Sequence, residues 1–389
     1  VEQVEYEGSF YRDTWVEIDL NNIEDNLKSI KNLLPDEVEM IAVVKANAYG
    51  HGDFQTAEAA LRAGASMLAV AFMDEAIALR RKGITAPILI LGASRPEDIN
   101  VAAELNLTLT VFQEEWLLKA AGILKPDLEV SVHVKVDTGM NRIGVGTRDQ
   151  LKKLEAAITN NRQIRMEGIY THFATADELD LSYFREQLER FNDLLGVLDN
   201  RPRYIHSSNS AASMRFPEAH FNAVRVGIAM YGLTPSLEIE PQLPISLKEA
   251  FSLYSRLIHV KKISKGEKVS YGATYEAEED EWIGTLPIGY ADGWIRKLQG
   301  QDVLVEGRRV PIVGRICMDQ CMVKLPDYVP PGTKCTLIGS QKTETISINE
   351  IASKLETINY EILCVISNRV PRIFKQNGKM LAINNALLT

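Results

Sequence analysis

Several side chains able to do chemistry sit where apolar runs end. "AVVKANAYGHG" passes from a buried-strand pattern, Ile41 to Val44, straight onto Lys45. "VDTGMNRIG" supplies Arg142, "YTHFATAD" His172, "IHSSNSAA" Asn209 and Ser210, and "AVRVGIAMYG" Arg225. A lysine in apolar surroundings can lose its proton and attack a carbonyl carbon as a free amine. "SNSAA" and "RVGIAMYG" place small residues and backbone N–H groups near a predicted helix start, which are ingredients of a phosphate cradle. Taken singly, a lysine at a strand end is usually a rim charge, and a lone histidine a hydrogen-bonded structural imidazole. Arg225 is harder to dismiss, because a guanidinium inside an apolar strand must be paired.

The elements that must position these residues alternate. Strands are expected at "EMIAVVK", "MLAVAF", "PILIL", "LTLTVF", "VSVHVKVD", "MEGIYTHF", "YIHSSNS" and "AVRVGIAMYG", with amphipathic helical stretches between them. Such alternation specifies a parallel sheet with right-handed crossovers. Eight units in roughly 200 residues fit a closed (β/α)8 TIM barrel better than an open doubly wound sheet. No strand is followed by G-x-G-x-x-G, which further disfavours a dinucleotide-binding sheet. In a barrel the active site is built at the C-terminal ends of the strands. That rule selects Lys45 after the first strand, Arg142 after the fifth, His172 after the sixth, Asn209 and Ser210 after the seventh, and Arg225 in the eighth. An amine and a phosphate cradle on one rim are what pyridoxal 5'-phosphate requires.

Beyond Leu243 the pattern becomes short β-branched runs broken by Gly and Pro, as in "DVLVEGRRVPIVGRI", which predicts a mostly antiparallel β domain. The expected division is a barrel over 12–243 and a β domain over 244–389, with "PSLEIEPQLP" as linker. Residues 1–20, with the strand "WVEIDL", are expected to pack on the β domain.

Among the 389 residues, 46% are hydrophobic and 24% charged, with a net charge of -9. This speaks against nucleic acid or an anionic membrane surface as the main partner. The longest apolar runs fall short of the roughly 18 residues that span a bilayer. "VEQVEYEGSF" is acidic and lacks the apolar core of a secretory leader. Cys317, Cys321, Cys335 and Cys364 lack a second pair or histidines at zinc-site spacing and read as reduced thiols of a cytoplasmic protein.

The motifs "AVVKANAYGHG", "DTGMNRIG", "THFATAD", "NSAA", "VRVGIAMYG", "SYGATY", "IGYADG", "RICMDQ" and "NYE" together resemble, in the same order, those of the alanine racemases, the barrel-type pyridoxal-phosphate enzymes. The resemblance covers essentially the whole chain. It implies interconversion of L- and D-alanine, with D-alanine destined for peptidoglycan. Lys45 matches the lysine that carries the cofactor and serves as one base, and Tyr271 the second base on the opposite face of the substrate Cα. In the family that tyrosine comes from the partner subunit, so a homodimer with shared sites is implied. Arg225 matches the residue facing the pyridine nitrogen, in a row with His172 and Tyr271. Tyr49, Ser210, Gly227, Ile228 and Tyr360 match the phosphate-binding set, and Asn209 stands beside it. Arg142 and the main-chain N–H of Met318 match the carboxylate contacts. Asp177, Tyr290, Arg296 and Ile358 match the entrance corridor, although an ordinary polar rim would look the same. Lys135 matches a lysine carbamylated in some members that orients Arg142; a barrel-interior ion pair explains it equally well. A serine or broad-spectrum racemase is the nearest alternative. A non-catalytic pyridoxal-phosphate carrier would lack the second domain, and a related decarboxylase would place a carboxylate where Arg225 stands.

Overall fold

In this computed structural model, residues 10–388 are described. The chain forms two compact units. One gathers the described residues up to Asn21, Tyr49–Gly52 and the chain from Ala250 onward; the other comprises Asn22–Ala48 and Asp53–Glu249.

Strand β1 (Thr14–Asp19) belongs to the first of these units. The other unit is a closed parallel barrel of β2 (Glu39–Val43), β3 (Met67–Val70), β4 (Ile88–Ala93), β5 (Leu107–Val111), β6 (Val130–Lys135), β7 (Ile164–Tyr170), β8 (Tyr204–His206) and β9 (Ala223–Val226). These are the eight strands expected from the sequence. Their apolar runs suit strands buried on both faces, which need no polar alternation. The barrel closes where β9 pairs with β2, and that register sets Arg225 opposite Ile41. Amphipathic helices follow the strands, for example Asp53–Arg62, Met73–Arg81, Arg148–Thr159 and Ser182–Leu195. Thr147 caps the third of these by accepting from the Gln150 N–H at 3.2 Å.

The β unit is a mostly antiparallel sheet. β1 lies between Phe251–Arg256, to which it is antiparallel, and Arg372–Gln376, to which it is parallel. Trp15, Tyr254 and Ile373 pack together on these strands. Of the N-terminal residues expected to join this domain, 1–9 lie outside the described residues. A small ribbon pairs Lys268–Val269 with Tyr275–Glu276 and presents the loop between them. Two helices, Ile348–Leu355 and Asn359–Val365, add to the expected strands, the first capped by Ser347. No helix among the described residues is long and apolar enough to cross a membrane.

Candidate active site

In the barrel unit, β2 and Val44 lead to Lys45, which is partly buried. The backbone then turns the wrong way. Ala46, Asn47 and Ala48 have φ of 54°, 52° and 52°, and Tyr49 follows at 52°, so one turn of left-handed helix succeeds the lysine. Such a conformation costs roughly 1–2 kcal/mol per residue, so tertiary contacts must hold it. The Ala48 N–H donates to the Val44 carbonyl at 2.9 Å. Glu75 accepts from the Ala46 N–H at 2.6 Å, and the Asn47 side chain accepts from the Asp53 N–H at 3.0 Å. Glu75 is itself fixed by the Ala71 N–H at 2.7 Å.

Arg225 is buried, and both of its terminal nitrogens donate within the barrel. Nη1 donates to His206 Nδ1 at 2.7 Å; Nη2 donates to the Thr171 and Ser207 carbonyls at 2.8 and 3.0 Å and to His172 Nδ1 at 3.2 Å. No carboxylate among the described residues pairs with it. Burial lowers its pKa to about 10, which leaves it protonated at neutral pH. His206 passes the pattern on, with its Nε2 2.9 Å from His133 Nδ1. Tyr170 stacks on His206 at 4.8 Å between ring centroids and 5° between planes. Burial and then Arg225 hold His172 and His206 well below the usual histidine range and push His133 down to about 3. Arg142, Lys135 and Lys45 add positive charge around His172. The rim thus concentrates cations, an environment suited to an anionic ligand.

Lys135 ends β6, buried, with Nζ donating to the Val136 carbonyl at 2.7 Å. Among the described residues it has no carboxylate within ion-pair distance. Burial, and then Arg225, lower its pKa to about 7. Arg142 stands exposed in the loop after β6. Asn209 caps Ser210–Arg215 by accepting from the Ala212 N–H at 3.0 Å. The Ser210 hydroxyl accepts from the Gly227 and Ala229 N–H groups at 2.9 and 3.4 Å, so Ser210, Gly227 and the adjoining Ile228 share one buried corner. Asp177 is partly buried, which raises its carboxyl pKa.

The remaining candidates lie in the β unit. Tyr271 is 72% exposed. Its loop is tied to that of Met318 and Tyr290 through Cys317: the Ser270 hydroxyl meets Cys317 Sγ at 3.5 Å, and the Tyr290 N–H donates to the Cys317 carbonyl at 3.0 Å. Met318 accepts from the Ala291 N–H at 3.0 Å. A Cβ at Gly289 would come within 2.3 Å of the Cys317 carbonyl, so only glycine admits this approach. Arg296 and Ile358 are exposed, and Ile358 precedes the helix that carries Tyr360. The Tyr49 and Tyr360 rings pack at 6.1 Å.

Sequence reasoning missed Glu75, His133, Tyr170 and His206 as supports of the site. His206 interrupts the apolar start of its strand much as Arg225 does, whereas His133 alternates within "VSVHVKVD" like an ordinary strand residue.

Family models for the alanine racemase N-terminal and C-terminal domains match residues 18–235 and 250–374. The alanine racemase of Geobacillus stearothermophilus is 58% identical over 380 residues, 98% of each chain. The crystal structure of alanine racemase from Bacillus anthracis with bound L-Ala-P superposes with a TM-score of 0.95 at 53% identity, covering 97% of this chain and 99% of that one. A histidine racemase from Leuconostoc mesenteroides subsp. sake superposes with a TM-score of 0.90 at 32% identity, covering 95% of this chain and 100% of that one. Both solved relatives are racemases of the same two-domain architecture, which sets the class. The chain belongs to the alanine racemase family.

Proposed function

We propose that this protein is a pyridoxal 5'-phosphate-dependent alanine racemase, interconverting L- and D-alanine with Lys45 and Tyr271 as opposed bases. The observation that carries this reading is Arg225, a buried cation at the barrel rim whose donors meet only imidazoles and carbonyls. The residues present fit the cofactor. Lys45 offers an amine, and the corner of Ser210, Gly227 and Ile228 offers a hydroxyl and backbone amides for a phosphate. The family resemblance assigns Tyr49 and Tyr360 to the phosphate-binding set. When bound, the cofactor supplies an electron-withdrawing ring that acidifies the Cα–H of an attached amino acid.

The chain's own residues do the rest. Arginine has only donors, so Arg225 would hold the ring nitrogen of a bound cofactor as an unprotonated acceptor. That weakens electron withdrawal and disfavours protonation at sites other than Cα. Arg142 and the Met318 N–H hold the substrate carboxylate, while Asp177, Tyr290, Arg296 and Ile358 guard the way in. Racemisation needs a proton carrier on each face, because one base can only return the proton where it found it. Exposure of the Tyr271 phenol supports its donation to a second copy's barrel, and hence a homodimer. The same reading places the enzyme in the cytoplasm, making D-alanine for peptidoglycan.

The test is to incubate the purified holoenzyme with single-enantiomer amino acids and follow optical rotation. Rapid loss with alanine and little with serine or histidine is expected; no loss with alanine overturns the reading. The likeness to a histidine racemase favours the second reading, a different or broader substrate range, which equal loss across the panel would establish.

A further inference from the structure

The residue before Tyr271 has a backbone that serine should not adopt. Ser270 has φ 67° and ψ -179°. That combination is essentially confined to glycine, because a Cβ there crowds the neighbouring peptide. Gly272 and Ala273 follow with φ of 73° and 48°, so the loop is bent on both sides of the tyrosine. The neighbouring strand end leaves space for this shape. Gly314 has φ 66°, and a Cβ there would stand 2.8 Å from both Ser270 Cβ and the Val269 carbonyl oxygen. A Cβ at Gly272 would meet Arg315 Nη1 at 2.9 Å. The serine hydroxyl has a use in return: it donates to the Arg315 carbonyl at 2.5 Å and meets Cys317 Sγ at 3.5 Å. A glycine would relax the backbone but give up that tether. The position therefore keeps a strained residue whose side chain fixes the peptide plane from which Tyr271 projects.

We infer that Ser270 is a positioning residue for Tyr271: its strained backbone, tied by its hydroxyl to the Arg315 carbonyl, fixes the direction of the phenol. This rests on Tyr271 acting as a base. Small errors in aim are costly, since a displacement of about 1 Å can lower a rate on the order of a hundredfold.

The experiment compares Ser270→Ala, Ser270→Gly and Tyr271→Phe holoenzymes. Exchange of the Cα proton in D2O is followed separately from L- and D-alanine, and unfolding is followed by heat. Both Ser270 variants lose the tether, so both should exchange the L-enantiomer about tenfold more slowly or worse, with D-enantiomer exchange within about twofold of the parent. A merely structural role would slow both enantiomers alike. Strain predicts in addition that Ser270→Gly melts above Ser270→Ala, the reverse of the order at an ordinary position. If Tyr271→Phe abolishes L-enantiomer exchange but the Ser270 variants keep it, the positioning role is overturned while the base assignment stands. If Tyr271→Phe itself exchanges both enantiomers normally, the base assignment fails first. A glycine variant that melts below the alanine variant removes the strain argument.

Discussion

Arg225 Nη1 donates to His206 Nδ1 at 2.7 Å, and this contact sets the protons on two further nitrogens. Arginine cannot accept, so His206 Nδ1 must. The His206 proton then sits on Nε2 and is donated to His133 Nδ1 at 2.9 Å. The His133 proton is left on Nε2, which has no hydrogen-bond partner among the described residues. Every link points away from Arg225, so neither imidazole can take its charge without breaking the row. Gly168 makes room for the arrangement: a Cβ there would come within 2.6 Å of the His133 ring.

The first prediction concerns acid stability. Burial pushes the His133 pKa down to about 3, against about 6.5 when unfolded. Between those values the unfolded chain binds a proton that the folded chain refuses. The stabilisation is therefore complete above pH 6.5 and is lost as pH falls toward 3, by about 1.4 kcal/mol per pH unit for this one group. His172 and His206 are shifted in the same direction and add to the slope. Denaturant unfolding at pH 7.5, 6.5 and 5.5 should show steep weakening, and His133→Asn should reduce the slope by about one proton. An unchanged slope would mean that His133 titrates normally in the fold.

The second prediction concerns the left-handed turn after Lys45. Ala46 is exposed with φ 54°, so its methyl group adds strain without packing. Ala46→Gly should raise unfolding stability by about 1 kcal/mol, and Ala46→Val should lower it by more than that, because a β-branched residue tolerates the left-handed region least. Equal stabilities would show that the turn is not strained.

The barrel was readable because strands buried on both faces are simply apolar runs. Arg225 and Lys45 stood out as polar residues against such runs. The left-handed turn did not, because "KANAY" is unremarkable in helix propensity and its handedness comes from Glu75 and Asp53, distant or later in the chain. His133 was hidden inside "VSVHVKVD", where its alternation suggests an ordinary strand residue. The helices Ile348–Leu355 and Asn359–Val365 were overlooked for another reason: the surrounding β-branched runs dominate, although Ser347 and Glu350 form a helix-start signal. Sequence spacing had no means of showing that Ser270 and Gly314 share one tight corner, since that depends on the packing of two loops.

The third prediction separates the two explanations left open for Lys135. The ion pair has no support, since no carboxylate lies within pairing distance among the described residues. A pKa lowered to about 7 leaves a substantial fraction of the amine neutral at physiological pH, and the neutral amine is the form that adds carbon dioxide. Incubation with 13C-bicarbonate should give a carbamate carbon signal that is absent in Lys135→Met. Loss of this signal should accompany weaker substrate binding, as Arg142 loses an anionic neighbour. A Lys135→Met protein that retains the signal would assign the carbamate elsewhere.

The fourth prediction tests the buried corner around Ser210. Its hydroxyl oxygen accepts from two backbone N–H groups, those of Gly227 and Ala229. Ser210→Ala strands these donors away from water, which costs about 1–3 kcal/mol if nothing else accepts them. Without cofactor, the variant should therefore unfold at lower denaturant concentration than the parent. With cofactor, a phosphate set in this corner can supply the missing acceptor oxygens, so the gap between variant and parent should narrow while cofactor retention on dialysis falls. A stability gap that is the same in both forms, with retention unchanged, would mean that the phosphate binds elsewhere and that Ser210 serves only to close the turn after β9.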